Sequence, residues 1–343
     1  MSWRYTHNAR MCAIVYPQAR KQASSRDNLA ALGETPPCVR PSVCFQGSGC
    51  VIVYHIGVAR YLQEHFELDD VTFLAASGGS IVAAMLALGL SMDVAMKENC
   101  RLAVLSRRLP FGPFGRILDD VAGAFEALLA DWTDEDVAAV LAGHLPQPML
   151  PRLPSRQKIW SAEDDPDGSE PASGFTASPY RGQDLLPPPP QPRPPPLQVP
   201  VDASELSQPR CRLVLSLTHA TTLAPRLMRH YPTKATLVSS VWSSMNLPAF
   251  LCVPFRRVQG ELYIDGGLTN NAPVASPATV RVSPTDRTAD VTPDVPASAA
   301  EFMVPGNDTY MQAMHDQGYE NAQRRHDLFL ARGFQPKRET TSP

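Results

Sequence analysis

The chain has 343 residues, a formal net charge of −3 and 43% hydrophobic residues. Because it is slightly acidic and has no cluster of Lys and Arg, we expect no nucleic-acid partner. Its seven Cys are odd in number and lack C-x-x-C spacing. They therefore indicate neither a zinc site nor a disulfide scaffold, and they favour a reducing compartment.

The first 40 residues are predicted to be a flexible N-terminal tail or a targeting segment. The basic residues that precede the first acidic residue are Arg4, Arg10, Arg20, Lys21 and Arg26. This bias is compatible with an organelle transit peptide, and a poorly ordered tail explains it equally well. No apolar run reaches 18 residues, so we expect no transmembrane helix.

A glycine turn follows the first predicted strand, which begins at Ser42, and leads into a helix that extends to Leu62. The turn consists of Gly47, Ser48, Gly49 and Cys50. Free N–H groups in such a turn can stabilise an oxyanion. Binding of a dinucleotide phosphate is the alternative, but the third glycine of that motif is missing and no Gly-Lys-Ser/Thr follows. His55, within the helix, is expected to pack or to make a helix-end hydrogen bond.

Ser77 lies on the next predicted strand-to-helix turn. The apolar run 71–74 precedes the hexapeptide AASGGS at 75–80, and another apolar run follows at 81–86. A serine among small residues on such a turn is typical of a nucleophile elbow, whose usual pattern is G-x-S-x-G. Ala75 replaces the leading glycine here, and Gly78 and Gly79 follow the serine. One methyl is the smallest possible intrusion, so we expect activity to be retained; a plain helix N-cap is the alternative.

Helices and a proline-rich insertion are predicted next. Apolar spacing indicates helices at 91–106 and 115–131, and Thr133 is a good N-cap for a third helix. Between residues 146 and 200 lie 16 of the chain's 35 prolines, so 146–207 is predicted to be a disordered surface insertion within one domain. Its polyproline run at 187–196 is either a passive spacer or a ligand for an SH3- or WW-type groove.

Alternating strand and helix patterns resume after the insertion. We predict strands at 212–217 and 261–264 with a helix at about 235–245 between them. This alternation indicates an α/β fold with a mostly parallel sheet and helices on both faces.

The strand at 261–264 delivers Asp265 into the pair Gly266 and Gly267. Such a placement presents a polar group at a strand end with room for a substrate. An ordinary Asp-Gly hairpin turn is the alternative. The preceding apolar segment 247–255, followed by two arginines, is either an acyl groove with a basic rim or a core strand with a solvated charge pair.

These segments together resemble the patatin-like phospholipase domain, over roughly residues 41–145 and 208–330. The motifs that carry the resemblance are the glycine-rich segment 45–62, the elbow 76–83, the serine-rich segment 237–248, the aspartate motif 263–267 with Asn270, Asn271 and Pro273 behind it, and the Gly-Tyr helix at 315–322. The resemblance implies a three-layer α/β fold and a single domain over 41–330. Residues 331–343 are expected to form a flexible C-terminal tail.

The family resemblance also implies a Ser–Asp dyad that hydrolyses lipid acyl esters without a cofactor or a metal. In this dyad Ser77 is the nucleophile, Asp265 is a general base whose pKa is raised by partial burial, and the N–H groups of residues 47–50 form the oxyanion hole. The expected substrate is a phospholipid or a triacylglycerol at a membrane or lipid-droplet surface. The expected location is therefore intracellular, with peripheral membrane association.

Two alternatives to this dyad stay open at the level of sequence. A Ser–Asp–His triad is permitted by the chain order, with His315 or His326 as its third member. Both histidines are expected to be solvated surface residues of a C-terminal helix, which favours the dyad. The second alternative is a catalytically weak scaffold that uses its proline-rich insertion to bind partners.

Overall fold

A computed structural model describes residues 40–108, 117–146, 211–248 and 254–338 of the chain. The N-terminal tail, nearly all of the proline-rich insertion and its polyproline run lie outside the described residues. The predictions for those segments stay predictions.

A seven-stranded sheet with the order β6-β7-β4-β3-β1-β8, and with β5 paired to β4, organises the described residues. The strands are β1 (Ser42–Phe45), β2 (Phe66–Glu67), β3 (Thr72–Ala75), β4 (Leu213–His219), β5 (Pro225–Met228), β6 (Arg256–Val258), β7 (Glu261–Asp265), β8 (Val280–Val282) and β9 (Gln335–Pro336). The neighbours β8, β1, β3 and β4 run parallel to one another. The predicted α/β class with a mostly parallel sheet is therefore confirmed.

The predicted helices up to residue 245 agree with the structure to within a few residues, whereas the helix predicted at 315–322 begins earlier, at Asp308, and the short helices at 299–303 and 326–331 were not predicted. The helices of the described residues are α1 (Ile52–His65), α2 (Gly79–Ala87), α3 (Met92–Arg108), α4 (Ile117–Leu128), α5 (Asp134–Leu141), α6 (Lys234–Ser244), α7 (Ala299–Met303), α8 (Asp308–Arg324) and α9 (His326–Ala331). Thr133 caps α5 through a capping box with Asp136, as its sequence predicts. Within the described part of the chain, no helix is long and apolar enough to cross a membrane.

The strand that carries Asp265 runs antiparallel to its neighbour β4. It is joined to β6 by a two-residue turn, Gln259 and Gly260, whose φ angles of 50° and 92° are both positive. Such a turn connects antiparallel strands. The hairpin turn therefore precedes β7, and the Asp-Gly pair after β7 instead opens the short 3-10 turn Gly266–Leu268.

The two faces of the sheet pack against different clusters. On one face, alternate strand residues such as Phe45, Phe73 and Leu215 belong to a large buried core that includes the helices. On the other face, Cys44 and its neighbours in β3 and β4 form a small separate cluster. Burial of the large core is the main source of stability, because apolar area removed from water contributes about 25 cal/mol per Å².

The C-terminal segment differs from the flexible tail predicted for 331–343. Strand β9 pairs antiparallel with β2, and the Phe334 side chain is buried. The backbone N–H of Lys337 also donates to the carbonyl of His65. Residues 331–338 are therefore part of the folded body, because an aromatic anchor and strand pairing together fix a segment whose sequence is otherwise polar.

Candidate active site

Ser77 occupies a strained turn between β3 and α2. Its φ angle is +50°, in the left-handed region that a residue with a side chain seldom adopts. The N–H of Ala76 donates to the carbonyl of Phe45, and the N–H of Ser80 donates to the carbonyl of Ser77. These bonds fix both sides of the turn, so the serine hydroxyl is held above the end of the sheet as a nucleophile elbow requires.

Ala75, which replaces the usual leading glycine, is an ordinary strand residue. It is buried and pairs with Phe45 on one side and with Leu215 on the other. Its φ angle is not positive, so the backbone at this position does not need a glycine. The conformational strain of the elbow lies at Ser77, which explains how the alanine fits.

Gly79 allows the elbow to lie against strand β1. A Cβ atom on this residue would lie 2.3 Å from the carbonyl oxygen of Phe45. Gly78 faces the glycine turn in the same way, since a Cβ atom there would lie 2.7 Å from the Ser48 hydroxyl oxygen. Gly79 is needed because backbone approaches it closely, whereas a side chain on Gly78 would first displace the Ser48 hydroxyl.

Ser244, which the sequence analysis placed only within the serine-rich segment, holds the elbow from α6. Its hydroxyl donates to the carbonyl of Ser216 at 2.8 Å and accepts from the backbone N–H of Ser77 at 3.1 Å. The hydroxyl of Ser80 lies 2.6 Å away and donates the remaining bond. This buried network joins three segments that are distant in sequence, so no local pattern could have identified it.

We expect Ser244→Ala to lower kcat about 10- to 100-fold with little change in KM. The Ser77 N–H and the Ser216 carbonyl would lose their partner, which costs about 1–3 kcal/mol of stability and loosens the turn that carries the nucleophile. The matched control is Ser243→Ala, because the neighbouring Ser243 hydroxyl is also buried but has no hydrogen-bond partner. Steady-state kinetics and thermal unfolding check both variants; equal kinetic losses in the two would contradict a specific role for Ser244.

The strand register places Asp265 at the level of Ser77. Ala75 pairs with Leu215, and Asp265 pairs with Leu217, two residues further along β4. Ser77 lies two residues beyond Ala75, so the serine hydroxyl and the Asp265 carboxylate meet. The Ser77 hydroxyl donates to Oδ2 of Asp265 at 2.7 Å, and the N–H of Gly267 donates to Oδ1 at 2.7 Å.

Asp265 lies in an environment that makes its carboxylate a stronger base. Its side chain is only 2% exposed. Burial raises the pKa of Asp265 to about 7, and the hydrogen bonds from Ser77 and Gly267 offset only part of that increase. A general base is most effective when its pKa lies near the working pH, so this carboxylate suits neutral conditions.

The glycine turn lies beside Ser77, but its N–H groups are not equivalent. The N–H of Gly47 donates to Oδ1 of Asn271 at 2.9 Å. No hydrogen bond is recorded for the N–H groups of Ser48, Gly49, Cys50 and Gly78 within the described residues. A Cβ atom on Gly78 would lie 3.2 Å from the nitrogen of Gly49, so these two backbones adjoin.

The N–H groups of the predicted oxyanion segment 47–50 therefore differ in their hydrogen bonding. The N–H of Gly47 already donates to Asn271, and the N–H of Ser77 already donates to the Ser244 hydroxyl. In the part of the chain that the structure describes, the N–H groups of Gly49 and Gly78 have no acceptor, and the backbones of these two residues adjoin. A donor directly after the nucleophile and a second from a neighbouring loop is the arrangement of a two-donor oxyanion hole.

The two histidines of the alternative triad make hydrogen bonds to residues other than Ser77 and Asp265. His315 is only 2% exposed, so the expectation that it is a solvated surface residue is wrong. Its Nδ1 lies 3.0 Å from a carboxylate oxygen of Asp316. It is buried because α8 crosses α1 closely: a Cβ atom on Gly57 would lie 1.9 Å from the His315 carbonyl oxygen. Nδ1 of His326, which is half-buried, lies 2.7 Å from the hydroxyl of Tyr61.

His55 bonds to the residue that directly precedes the glycine turn. Its Nε2 lies 2.8 Å from the carbonyl oxygen of Gln46, and its ring packs edge-on against Phe45. Burial lowers the pKa of His55 to about 4. The imidazole is therefore neutral at pH 7, and its position agrees with the packing and hydrogen-bonding role that the sequence predicts.

An apolar cavity of about 190 Å³ opens beside the dyad. Ser77, Gly49, Gly78 and Asp265 line one end. Its apolar walls include Ile56, Val82, Met85, Leu102, Phe125 and Phe302. Cys50 also lines it, but burial raises the pKa of its thiol to about 12, so the thiolate nucleophile is scarce at neutral pH.

Only part of the predicted acyl groove 247–255 can be placed. Leu247 lines the cavity, whereas residues 249–253 lie outside the described residues. The guanidinium of Arg256 stacks 3.8 Å from the centre of the Trp242 ring, and Arg257 donates to the carbonyl of Gly260. These arginines belong to strand β6 and are not among the residues that line the cavity.

Comparison with known protein families identifies the family of this chain. A model of the patatin-like phospholipase family matches residues 43–278, well over half of the chain. The chain therefore belongs to the patatin-like phospholipase family, and this membership supports lipid acyl hydrolase activity.

Other comparisons reveal only distant similarity. The crystal structure of VipD from Legionella pneumophila aligns with a TM-score of 0.39 and 12% identity, covering 85% of this chain and 67% of that one. No curated protein matches this chain.

Proposed function

We propose that this protein hydrolyses fatty-acyl esters through a dyad of Ser77 and Asp265. The observation that carries the proposal is the 2.7 Å hydrogen bond from the Ser77 hydroxyl to a buried carboxylate, at one end of an apolar cavity. A serine needs an adjacent base to become a nucleophile. Among the described residues no histidine bonds to this carboxylate, so Asp265 is the base that the geometry favours.

The reaction follows in two halves. Asp265 takes the proton of the Ser77 hydroxyl as its oxygen attacks the ester carbonyl, and the N–H groups of Gly49 and Gly78 stabilise the oxyanion. Collapse of this tetrahedral intermediate expels the alcohol, which receives the proton from Asp265. Water, deprotonated by the same carboxylate, then attacks the acyl-enzyme; the bond between the Ser77 oxygen and the acyl group breaks, Asp265 returns the proton to this oxygen, and the fatty acid is released.

The cavity favours a lipid substrate. Its lining is mostly apolar, with Glu98 and Asn99 as polar members beside Ser77 and Asp265, and an acyl chain would exclude water from the apolar surface. We propose phospholipids or triacylglycerols as substrates, at a membrane or lipid-droplet surface, with a role in lipid breakdown. A catalytically weak scaffold is the competing function.

A fluorophosphonate probe distinguishes an enzyme from a scaffold, because only an activated serine reacts with it. We expect labelling of the native protein at Ser77, together with release of fatty acid from a panel of phospholipids, lysophospholipids and triacylglycerols. A folded protein that neither labels nor releases fatty acid from any of them would refute the proposed activity.

The position of Ala124 in the wall of the cavity gives a separate prediction. Ala124 lies on α4, lines the cavity and is partly buried, so Ala124→Phe would place an aromatic ring in the acyl site. We expect hydrolysis of p-nitrophenyl palmitate to fall about 10-fold or more relative to p-nitrophenyl acetate. Glu126→Phe, on the exposed side of the same helix, is the matched control and should leave that ratio unchanged. An unchanged ratio in Ala124→Phe would show that the acyl chain binds elsewhere.

A further inference from the structure

A single side chain joins the glycine turn to the aspartate loop beside the dyad. Oδ1 of Asn271 accepts the N–H of Gly47 at 2.9 Å, across 224 positions of sequence. Only the carbonyl oxygen of the amide can accept from an N–H, so this bond also fixes which way the amide points.

The Asn271 oxygen lies in the immediate surroundings of the dyad. A Cβ atom on Gly267 would lie 3.0 Å from this oxygen, 3.0 Å from Oδ1 of Asp265 and 3.7 Å from the Ser77 Cβ. A Cβ atom on Gly47 would lie 2.6 Å from the same oxygen and 3.2 Å from the Ser77 Cβ. The amide therefore fills the space between two glycine backbones that flank the nucleophile and its base.

Other hydrogen bonds hold the two ends of the glycine turn. Before it, the N–H of Gln46 donates to the carbonyl of Val282 and the Gln46 carbonyl bonds to His55; after it, the N–H of Val51 donates to the carbonyl of Ser48. Among the described residues, the Ser48 hydroxyl is buried and has no hydrogen-bond partner. Within the same residues, the bond from the Gly47 N–H to Asn271 joins the N–H groups of the turn to the loop that follows Asp265.

We propose that Asn271 is a positioning residue for the oxyanion hole. By holding the Gly47 N–H, it removes that group from the donor set and fixes the turn so that the Gly49 N–H lies next to the N–H of Gly78. The geometry of such donors matters because misplacing a preorganised donor costs transition-state stabilisation without weakening ground-state binding. This inference rests on the proposed hydrolase function.

Asn271→Ala tests the inference through the separation of kcat from KM. We expect kcat for p-nitrophenyl butyrate to fall about 10- to 1000-fold while KM changes less than about threefold. Asn270→Ala is the matched control, because the neighbouring Asn270 side chain makes no recorded hydrogen bond in the described residues, and it should retain kcat within about threefold. Unchanged kcat in a folded Asn271→Ala variant would overturn the proposal.

Asn271→Asp provides a second test through the pH–rate profile, which a purely structural role would not change. The carboxylate keeps an acceptor for the Gly47 N–H, so activity at high pH should recover to within about 10-fold of the native value. The two carboxylate oxygens would each lie 3.0 Å from the same point beside Gly267 and so cannot be more than twice that distance apart. Repulsion between them should move the acid limb of the pH–rate profile to higher pH. An unshifted limb, or no recovery at high pH, would contradict the proposal.

Measuring hydrolysis by the native protein distinguishes failure of this inference from failure of the proposed function. If the native protein shows no Ser77-dependent hydrolysis, the proposed function fails. If it is active and the Asn271 variants behave like the Asn270 control, only the positioning role fails.

Discussion

Ser77→Ala is expected to lower ester hydrolysis by at least about 10⁴-fold, because the hydroxyl forms the acyl-enzyme and no other nucleophile can replace it. The thiol of the partly buried Cys50 is not expected to substitute, since desolvation raises its pKa to about 12. Rates with p-nitrophenyl butyrate and labelling by a fluorophosphonate check the variant. Substantial residual activity in a folded Ser77→Ala protein would remove the central claim.

Ser77→Gly is the informative companion to this variant. Alanine keeps the strain of a side chain at φ +50°, whereas glycine adopts that angle freely. Both variants should be inactive, but the glycine variant should be more stable than the alanine variant by about 1 kcal/mol. Equal stability in chemical denaturation would show that the elbow stores no conformational strain.

Asp265→Asn is expected to reduce turnover by at least about 10³-fold at every pH, because an amide cannot accept the serine proton. His315→Ala and His326→Ala, alone and together, should remain active if they fold, since these rings bond to Asp316 and Tyr61 instead. A loss in either histidine variant comparable to that of Asp265→Asn would replace the dyad with a triad.

The pH dependence of the native enzyme follows from the same carboxylate. Since burial raises the pKa of Asp265 to about 7, the rate with a neutral ester should rise about 10-fold per pH unit below 7 and level off above it. A rate that is flat between pH 5 and 8 would exclude Asp265 as the base.

Stability should change in the opposite direction with pH. The pKa of Asp265 is raised from 3.8 in the unfolded chain to about 7, so its stabilising contribution is complete below 3.8 and is lost as pH rises through 7. A neutral asparagine has no such dependence. The unfolding free energy of Asp265→Asn should therefore increase relative to the native protein between pH 4 and pH 8, by up to about 4 kcal/mol. Denaturation curves at the two pH values measure this difference.

The sequence by itself determined the parts of this protein that are encoded locally. Apolar runs separated by glycine turns predicted the strands before Ser77 and Asp265, and the N-cap at Thr133 predicted the start of α5. The motif around each of these two residues is contained within a few neighbouring positions. Strand periodicity and capping act over such short distances, so they can be recognised without knowledge of the fold.

Only the tertiary structure decided how these parts meet. The antiparallel direction of β7, and the register that brings Asp265 to Ser77, depend on pairing with β4 across the sheet. The roles of Ser244 and Asn271 depend on hydrogen bonds to Ser77 and Gly47 over 167 and 224 positions. The burial of His315 likewise depends on the close crossing of two helices. Hydrogen bonds and burial between distant segments arise only when the chain has packed, so local patterns singled out Ser77 and Asp265 but not the side chains that contact them or their loops.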